Sequence, residues 1–406
     1  MKFFESPPGA AHLGDHLISE RKPDKWLILL VALLVGFGAL MIYSSTSVIT
    51  PVMAKKHITN PLFYFKRHLF TICLGLIAML LMYRIRPDIL GKLSPFLLLL
   101  SLALLLLVFT KFGITAGGAR RWIRLWPSTF QPSELVKLGM VVFLAWYLSR
   151  PYYDPDNFWL TMLPVGVMGV FQVVFLRQPD FGAVITLGII TIGMLFLSGM
   201  RLRYLFSLLV LAVPAVIYLA MEPYRLKRIT SFLDPWSDPL GSGFQLIQSY
   251  IALGRGGFDG VGLGKSMQKL AFLPEMHTDF IFSIIGEELG FLAASGLVMA
   301  FLLLFLKGIQ IAGKFEDRFH YYLAYGISLM LALQGLVNFG VVTGLLPTKG
   351  LPLPFISYGG SSLLVNLTAM GIMLRLSRGE APKRPEDRFG EAISRKKARR
   401  AVYGAV

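Results

Sequence analysis

The sequence predicts an all-α polytopic membrane protein, with about ten transmembrane helices and a large extracytoplasmic loop between helices 7 and 8, on three observations. Of its 406 residues 55% are hydrophobic and 16% charged, against roughly 25% charged in soluble domains. Its mean hydropathy is +0.62, more apolar surface than a soluble fold can hide. Apolar runs also follow one another with short polar breaks, each near the roughly 20 residues that a hydrocarbon core about 30 Å thick requires.

Residues 1–25 form a polar N-terminal segment carrying Lys22 and Lys25. The run from Trp26 to about Val48 is too long for a signal-peptide core and stays as the first span. Further spans are expected at about 63–83, 93–111, 133–148, 159–176, 181–198, 203–221, 278–306, 320–342 and 358–376. Residues 26–376 thus make one transmembrane domain, with 222–277 as the large outer loop and 377–406 as a basic cytoplasmic tail whose plain role is a solvated anchor to anionic lipid. Ten crossings put both termini on one side, here the cytoplasmic one. The positive-inside bias then rests largely on the tails. Many Arg and Lys remain on the outer face, where an anionic substrate would compensate them. The outer loop, with Pro223, Pro235, Pro239 and many glycines, reads as structured, and Phe244 to Leu253 as a helix lying along the membrane surface.

Several chemistries are disfavoured at once. Cys73 is the only cysteine, so no intrachain disulfide forms, and six scattered histidines do not suggest a metal cluster. Gly260–Ser266 resembles a phosphate-binding P-loop, but Asp259 stands where its first glycine is needed. Nucleotide is therefore excluded as a ligand, and nucleic acid is not an expected partner. No internal repeat is visible, which weighs against a transporter built from duplicated halves.

Ionisable groups inside spans are costly and need a reason. Gln131-Pro132-Ser133-Glu134 with Lys137 puts an acid in a helix's first turn and a lysine three residues on, the same face. The two either neutralise each other or offer a cation to substrate in a polar cavity. Pro274-Glu275-Met276-His277-Thr278-Asp279 enters the eighth span, where Asp279, Ser283, Gly286 and Gly290 are expected to share one polar, small-residue face. Asp279 either caps that helix or heads a site, with Glu287 and Glu288 as two acids deeper in. Lys349-Gly350-Leu351-Pro352-Leu353-Pro354-Phe355, followed by Ile356-Ser357-Tyr358-Gly359-Gly360-Ser361-Ser362, exposes backbone at membrane depth, which is tolerable only against protein or a wet cavity.

Taken together, Gly118-Ala119-Arg120-Arg121-Trp122-Ile123, Gln131-Pro132-Ser133-Glu134, Gln178-Pro179-Asp180-Phe181-Gly182, the run from Gly260 to Glu288 and Ile356–Ser362 resemble the SEDS family, named for shape, elongation, division and sporulation. The match spans the first to the last helix. Pro347-Thr348-Lys349-Gly350 and Gln268-Lys269-Leu270 look more like division members than elongation members, as does Arg121 before Trp122.

The resemblance implies a peptidoglycan glycosyltransferase that polymerises lipid II at the outer face of the cytoplasmic (inner) membrane, in septal wall synthesis, releasing undecaprenyl diphosphate. It implies a class B penicillin-binding transpeptidase and other divisome proteins as partners. It matches Asp279 to the family's essential aspartate, and Trp122, Glu134 and Lys137 to positions near its central cavity. A diphosphate leaves as an anion, so cations replace the general acid and one carboxylate remains necessary, as base for the acceptor hydroxyl. Asp279 fits that role. Lys137, Arg120, Arg121 and Lys349 are the candidate diphosphate-neutralising groups, and Gln131, His277, Ser357 and Ser361 complete the expected substrate-binding set. No cofactor is implied with certainty, a divalent cation (Mg2+ or Mn2+) being the candidate. The outer loop guides the glycan, contacts the transpeptidase or serves as a passive lid. A lipid flippase and a division scaffold are the competing readings.

Overall fold

The computed structural model describes residues 22–46, 60, 62–116, 119–125, 128–270, 273 and 276–379. The expected N-terminal segment up to residue 21, the tail from 380, and Gly118, Pro274 and Glu275 of the motifs above lie outside the described residues.

Twelve α-helices occur among the described residues: α1 (Lys25–Thr46), α2 (Phe63–Arg84), α3 (Pro87–Leu107), α4 (Pro132–Leu148), α5 (Phe158–Arg177), α6 (Phe181–Leu197), α7 (Leu202–Ala220), α8 (Pro223–Leu233), α9 (Phe244–Gly256), α10 (Ile281–Ala312), α11 (Arg318–Val342) and α12 (Gly360–Ser377). All but α8 and α9 coincide, within a few residues, with an expected span. By length and apolarity alone α1, α2, α3, α5, α10 and α11 are able to cross a bilayer, and α6 is a shorter apolar helix of 17 residues. Count and composition make this a polytopic helical membrane protein.

Local chemistry sets the helix starts. Pro87 and Pro132 occupy the first helical turns of α3 and α4, where a missing N–H costs nothing. Pro87 with Asp88 in the first turn starts α3 well before the expected residue 93. Asn157, Asp180 and Asp317 cap α5, α6 and α11 by accepting from backbone amides of their first turns. The centre of the bundle is α4, buried over nearly its whole length between α3, α6, α11 and α12. Where α2 meets α12, a Cβ on Gly371 would lie 2.3 Å from the Met79 carbonyl oxygen, so only glycine permits this helix approach.

Three features depart from the sequence reading. Between α3 and α4 lies a small antiparallel sheet, β1 (Gly113–Ala116), β2 (Ala119–Leu125) and β3 (Ser128–Phe130), in the order β1-β2-β3. Next, α10 breaks at Gly290 (φ 73°), and residues 257–262 run beside the break: Val261 N–H donates to the Glu287 carbonyl at 3.0 Å and Phe291 N–H to that of Gly257 at 3.0 Å. Finally, the expected surface helix is α9, and its buried face packs on α10 and α11. Ser249 Oγ lies 2.7 Å from Ser283 Oγ and donates to the Val342 carbonyl at 2.7 Å, while a Cβ on Gly256 would sit 1.9 Å from the Gly286 carbonyl oxygen.

The expected polar face on the eighth span is thereby corrected. Helix α10 begins at Ile281, after Asp279, and breaks at Gly290, so the four do not share one helix face, and Ser283 and Gly286 form the seam for α9.

Candidate active site

The N-terminal ends of α4, α6, α10 and α12 meet the C-terminal end of α11, and the β-sheet and the 343–359 connection converge there. Asp279 is half-buried at this junction, just before α10. Buried Asn338 of α11 fixes it by donating through Nδ2 to the Asp279 carbonyl at 2.8 Å and to the Leu351 carbonyl at 2.8 Å. One amide thus ties the Asp279 backbone to the Lys349–Leu351 segment. The carboxylate consequently lies against Gly350: a Cβ there would stand 2.6 Å from Asp279 Oδ2.

Three cations gather on one side of this segment. Arg228 of α8 donates to the Thr348 carbonyl at 3.2 Å. Arg121 of β2 donates to the carbonyls of Gln178, at 3.2 Å, and Pro179. Burial pushes the Lys349 ammonium down to about 8 from 10.5 against the opposing pull of Asp180, and Arg121 and Arg228 add smaller pushes downward. Asp180 is buried, accepting from Ala183 N–H at 3.2 Å, Gln131 Nε2 at 3.3 Å and Ser133 Oγ at 3.4 Å.

A cavity of about 490 Å³ opens next to this segment, with Thr278 and Pro352 in its lining, within the roughly 300–1,000 Å³ usual for small-molecule sites. Phe63, Tyr64, Trp122 and Tyr358 give it aromatic walls, Thr129, Thr278, Ser361 and Ser362 hydroxyls, and Arg67 its cation. Ser361 Oγ accepts from Gln131 N–H at 2.8 Å, locking α12 to the entry of α4. The His277 ring lies 4.9 Å from that of Tyr64 and 5.6 Å from that of Tyr358.

The structure therefore brings together Asp279, Lys349 and Arg121, and beside them Trp122, Gln131 and Ser361 in the cavity wall, with His277 tilted against wall residues Tyr64 and Tyr358. It does not bring in the others. Lys137 Nζ donates to Glu134 Oε1 at 2.8 Å; both are buried deeper in α4 and neither lines the cavity. Arg120 turns to the carbonyls of Thr110 and Gly113, at the end of α3. Ser357 Oγ accepts from Leu353 N–H at 2.8 Å, closing a turn. Glu287 and Glu288 are also placed: fully buried, they bind the strap 257–270, Glu287 accepting from Ser266 Oγ and Met267 N–H (3.0 Å) and Glu288 from Ser44 Oγ (2.6 Å) and Lys269 Nζ (3.3 Å). The P-loop-like run is thus a structural clamp.

Arg67, Arg228 and Asn338 were not singled out in the sequence, and Tyr358 stood there only as part of the Ile356–Ser362 motif. Arg67 was legible, since Lys66-Arg67-His68 opens an expected span and intramembrane charge needs a reason. For Arg228 and Asn338 no local signal exists, because their partners lie 120 and 59 residues away. Among the described residues no three or more His, Cys, Asp or Glu converge as a resident metal centre would need.

Fold and site define a polytopic membrane protein with a half-buried carboxylate between a cationic cluster and an aromatic cavity. The chain belongs to the FtsW/RodA/SpoVE family of cell cycle proteins, which matches residues 25–381. It is 43% identical to a probable peptidoglycan glycosyltransferase FtsW of Geobacter sp. (strain M18) over 87% of this chain and 96% of that one. The corresponding protein of Coxiella burnetii is likewise 43% identical, over 87% and 96%. Among solved structures, a chain of a peptidoglycan synthase complex that coordinates polymerization and crosslinking superposes with a TM-score of 0.72 at 32% identity, covering 88% of this chain and 98% of that one. The rod shape determining protein RodA of Thermus thermophilus gives 0.65 at 28%, covering 89% and 98%.

Proposed function

We propose that the chain is a division-type peptidoglycan glycosyltransferase that polymerises lipid II at the outer face of the cytoplasmic membrane, both its termini lying in the cytoplasm. Asp279 takes the proton from the acceptor sugar hydroxyl as its oxygen attacks the anomeric carbon of the donor. The bond from that carbon to the diphosphate breaks, and its electron pair leaves with undecaprenyl diphosphate. No acid need protonate such a leaving group when cations meet its charge. Lys349, Arg121 and Arg228 supply those cations.

The observation that carries this reading is the Asp279 carboxylate lying against Gly350, between that cluster and the cavity. A class B penicillin-binding transpeptidase is the proposed partner, in keeping with the crosslinking complex that the fold resembles.

The test is polymerisation of labelled lipid II by the full chain purified with its cognate transpeptidase, comparing wild type with Asp279→Asn. Loss of a positioned base costs roughly 10²–10⁴-fold. Strands from the wild type and a loss on that scale in the variant support the assignment. Equal strands from both would remove Asp279 from the chemistry, and none from the wild type would favour lipid transport.

A further inference from the structure

The two sides of Asp279 differ in chemistry, and the difference separates the two substrates. We infer, resting on the polymerase reading, that the cavity lined by Arg67, Trp122 and Tyr358 is the acceptor subsite, and that the Lys349–Arg121–Arg228 side holds the donor's diphosphate.

The peptide from Thr348 to Pro352 runs from one side to the other. Its first residue offers its carbonyl to Arg228, its last lines the cavity, and its middle residue, Gly350, touches the Asp279 carboxylate. Thr278, next to Asp279 in sequence, also lines the cavity. A hydroxyl presented from the cavity therefore meets the carboxylate on one flank, and a diphosphate at the cluster lies on the other. Strand β2 enforces the same division, because successive side chains point to opposite faces. Arg121 reaches the Gln178 carbonyl at 3.2 Å, beside the cluster, whereas Trp122 faces the cavity.

Charge distribution assigns the roles. Negative charge develops on the donor's diphosphate in the transition state, so preorganised cations act most strongly there. The cluster has three, and burial already holds the Lys349 ammonium low, so a bound polyanion favours its charged form. Among the described residues lining it, the cavity has Arg67 as its one cation and no carboxylate. Its ring faces suit the apolar C–H face of a pyranose. Its hydroxyls suit the sugar's own, and Arg67 suffices for one anionic group of a lipid-linked acceptor. The Tyr64 and Tyr358 rings, 5.3 Å apart and edge-on, make a wall for such a ring.

Two lipid II analogues separate the subsites. One, epimerised at the 4-hydroxyl of its terminal sugar, serves only as donor. The other, with a non-hydrolysable C-phosphonate at the anomeric carbon, serves only as acceptor. Mixed on the full chain with its transpeptidase, they yield one coupled tetrasaccharide, whose rate is read against each analogue in turn. Arg67→Gln and Trp122→Leu should each raise KM for the acceptor analogue about tenfold and leave that for the donor within twofold. Arg228→Gln should do the reverse and also lower kcat, since the leaving group is stabilised there. The two cavity variants sit on different elements, α2 and β2, so misfolding of one leaves the other to decide. Equal shifts for both analogues, or the opposite pattern, would overturn the assignment while the polymerase reading stands. No tetrasaccharide from the wild type would overturn both.

Discussion

Two charge clusters are built around acids only eight residues apart in the chain, Asp279 and Glu287, and they differ in what satisfies them. Glu287 and Glu288 are fully buried, and hydroxyls, backbone amides and Lys269 fill their acceptor positions. Asp279 is half-buried next to the cavity-lining Thr278, and Arg121 and Arg228 spend hydrogen bonds on backbone carbonyls. In the first cluster protein meets protein and a strap is fastened to a broken helix. In the second, cations from three separate elements gather beside the carboxylate, and burial holds the Lys349 ammonium low. Burial of charge is thus no mark of chemistry by itself; a perturbed charge beside an accessible cavity is.

The comparison breaks most visibly at Glu288. Removing one partner of a buried ion pair strands the other and costs about 3–5 kcal/mol. Glu288→Ala should therefore lose stability on that scale, read as the denaturation midpoint of the purified protein in detergent. A variant of normal stability with lost polymerisation would place Glu288 in the chemistry and erase the contrast. Gly350→Ala tests the other cluster. Its Cβ would intrude to 2.6 Å of Asp279 Oδ2, the mobile end of a side chain, so the fold should hold while the carboxylate shifts. Misplacing a reacting group by about 1 Å costs on the order of 10²-fold in rate. A full polymerisation rate in this variant would show that the carboxylate is not used where it lies.

Much of this was legible in the sequence. The long helices follow from apolar runs, because bilayer thickness imposes one length on all of them. Asp279 and Lys349 stood out as charges at span ends that the membrane tolerates only with a reason. The sheet did not stand out: β1 has four residues and β3 three, and the cue was Gly117-Gly118 between Ile114-Thr115-Ala116 and Ala119. The periodicity of Ser283 and Gly286 was real, but their partner proved to be α9, which only tertiary structure reveals. The cation cluster is non-local for the same reason, drawing on β2, α8 and the last connection.

The smallest and most specific effect concerns pH. In the free protein Lys349 is charged below about 8 and neutral above it, against 10.5 in the unfolded chain. Between those values the folded state binds fewer protons than the unfolded one. The lysine's contribution to stability is thus greatest above 10.5 and is lost as pH falls through 8. Function runs the other way, since only the charged form neutralises a diphosphate. The profile of kcat/KM, which reports the free enzyme, should fall on an alkaline limb near 8. Bound diphosphate outweighs Arg121 and Arg228 and favours the ammonium, so the limb in kcat should lie higher. Lys349→Arg, whose guanidinium stays charged throughout, should abolish the limb with only a few-fold loss of rate below it. An unchanged limb in that variant would assign the titration elsewhere and leave Arg121 and Arg228 as the cations that meet the leaving group.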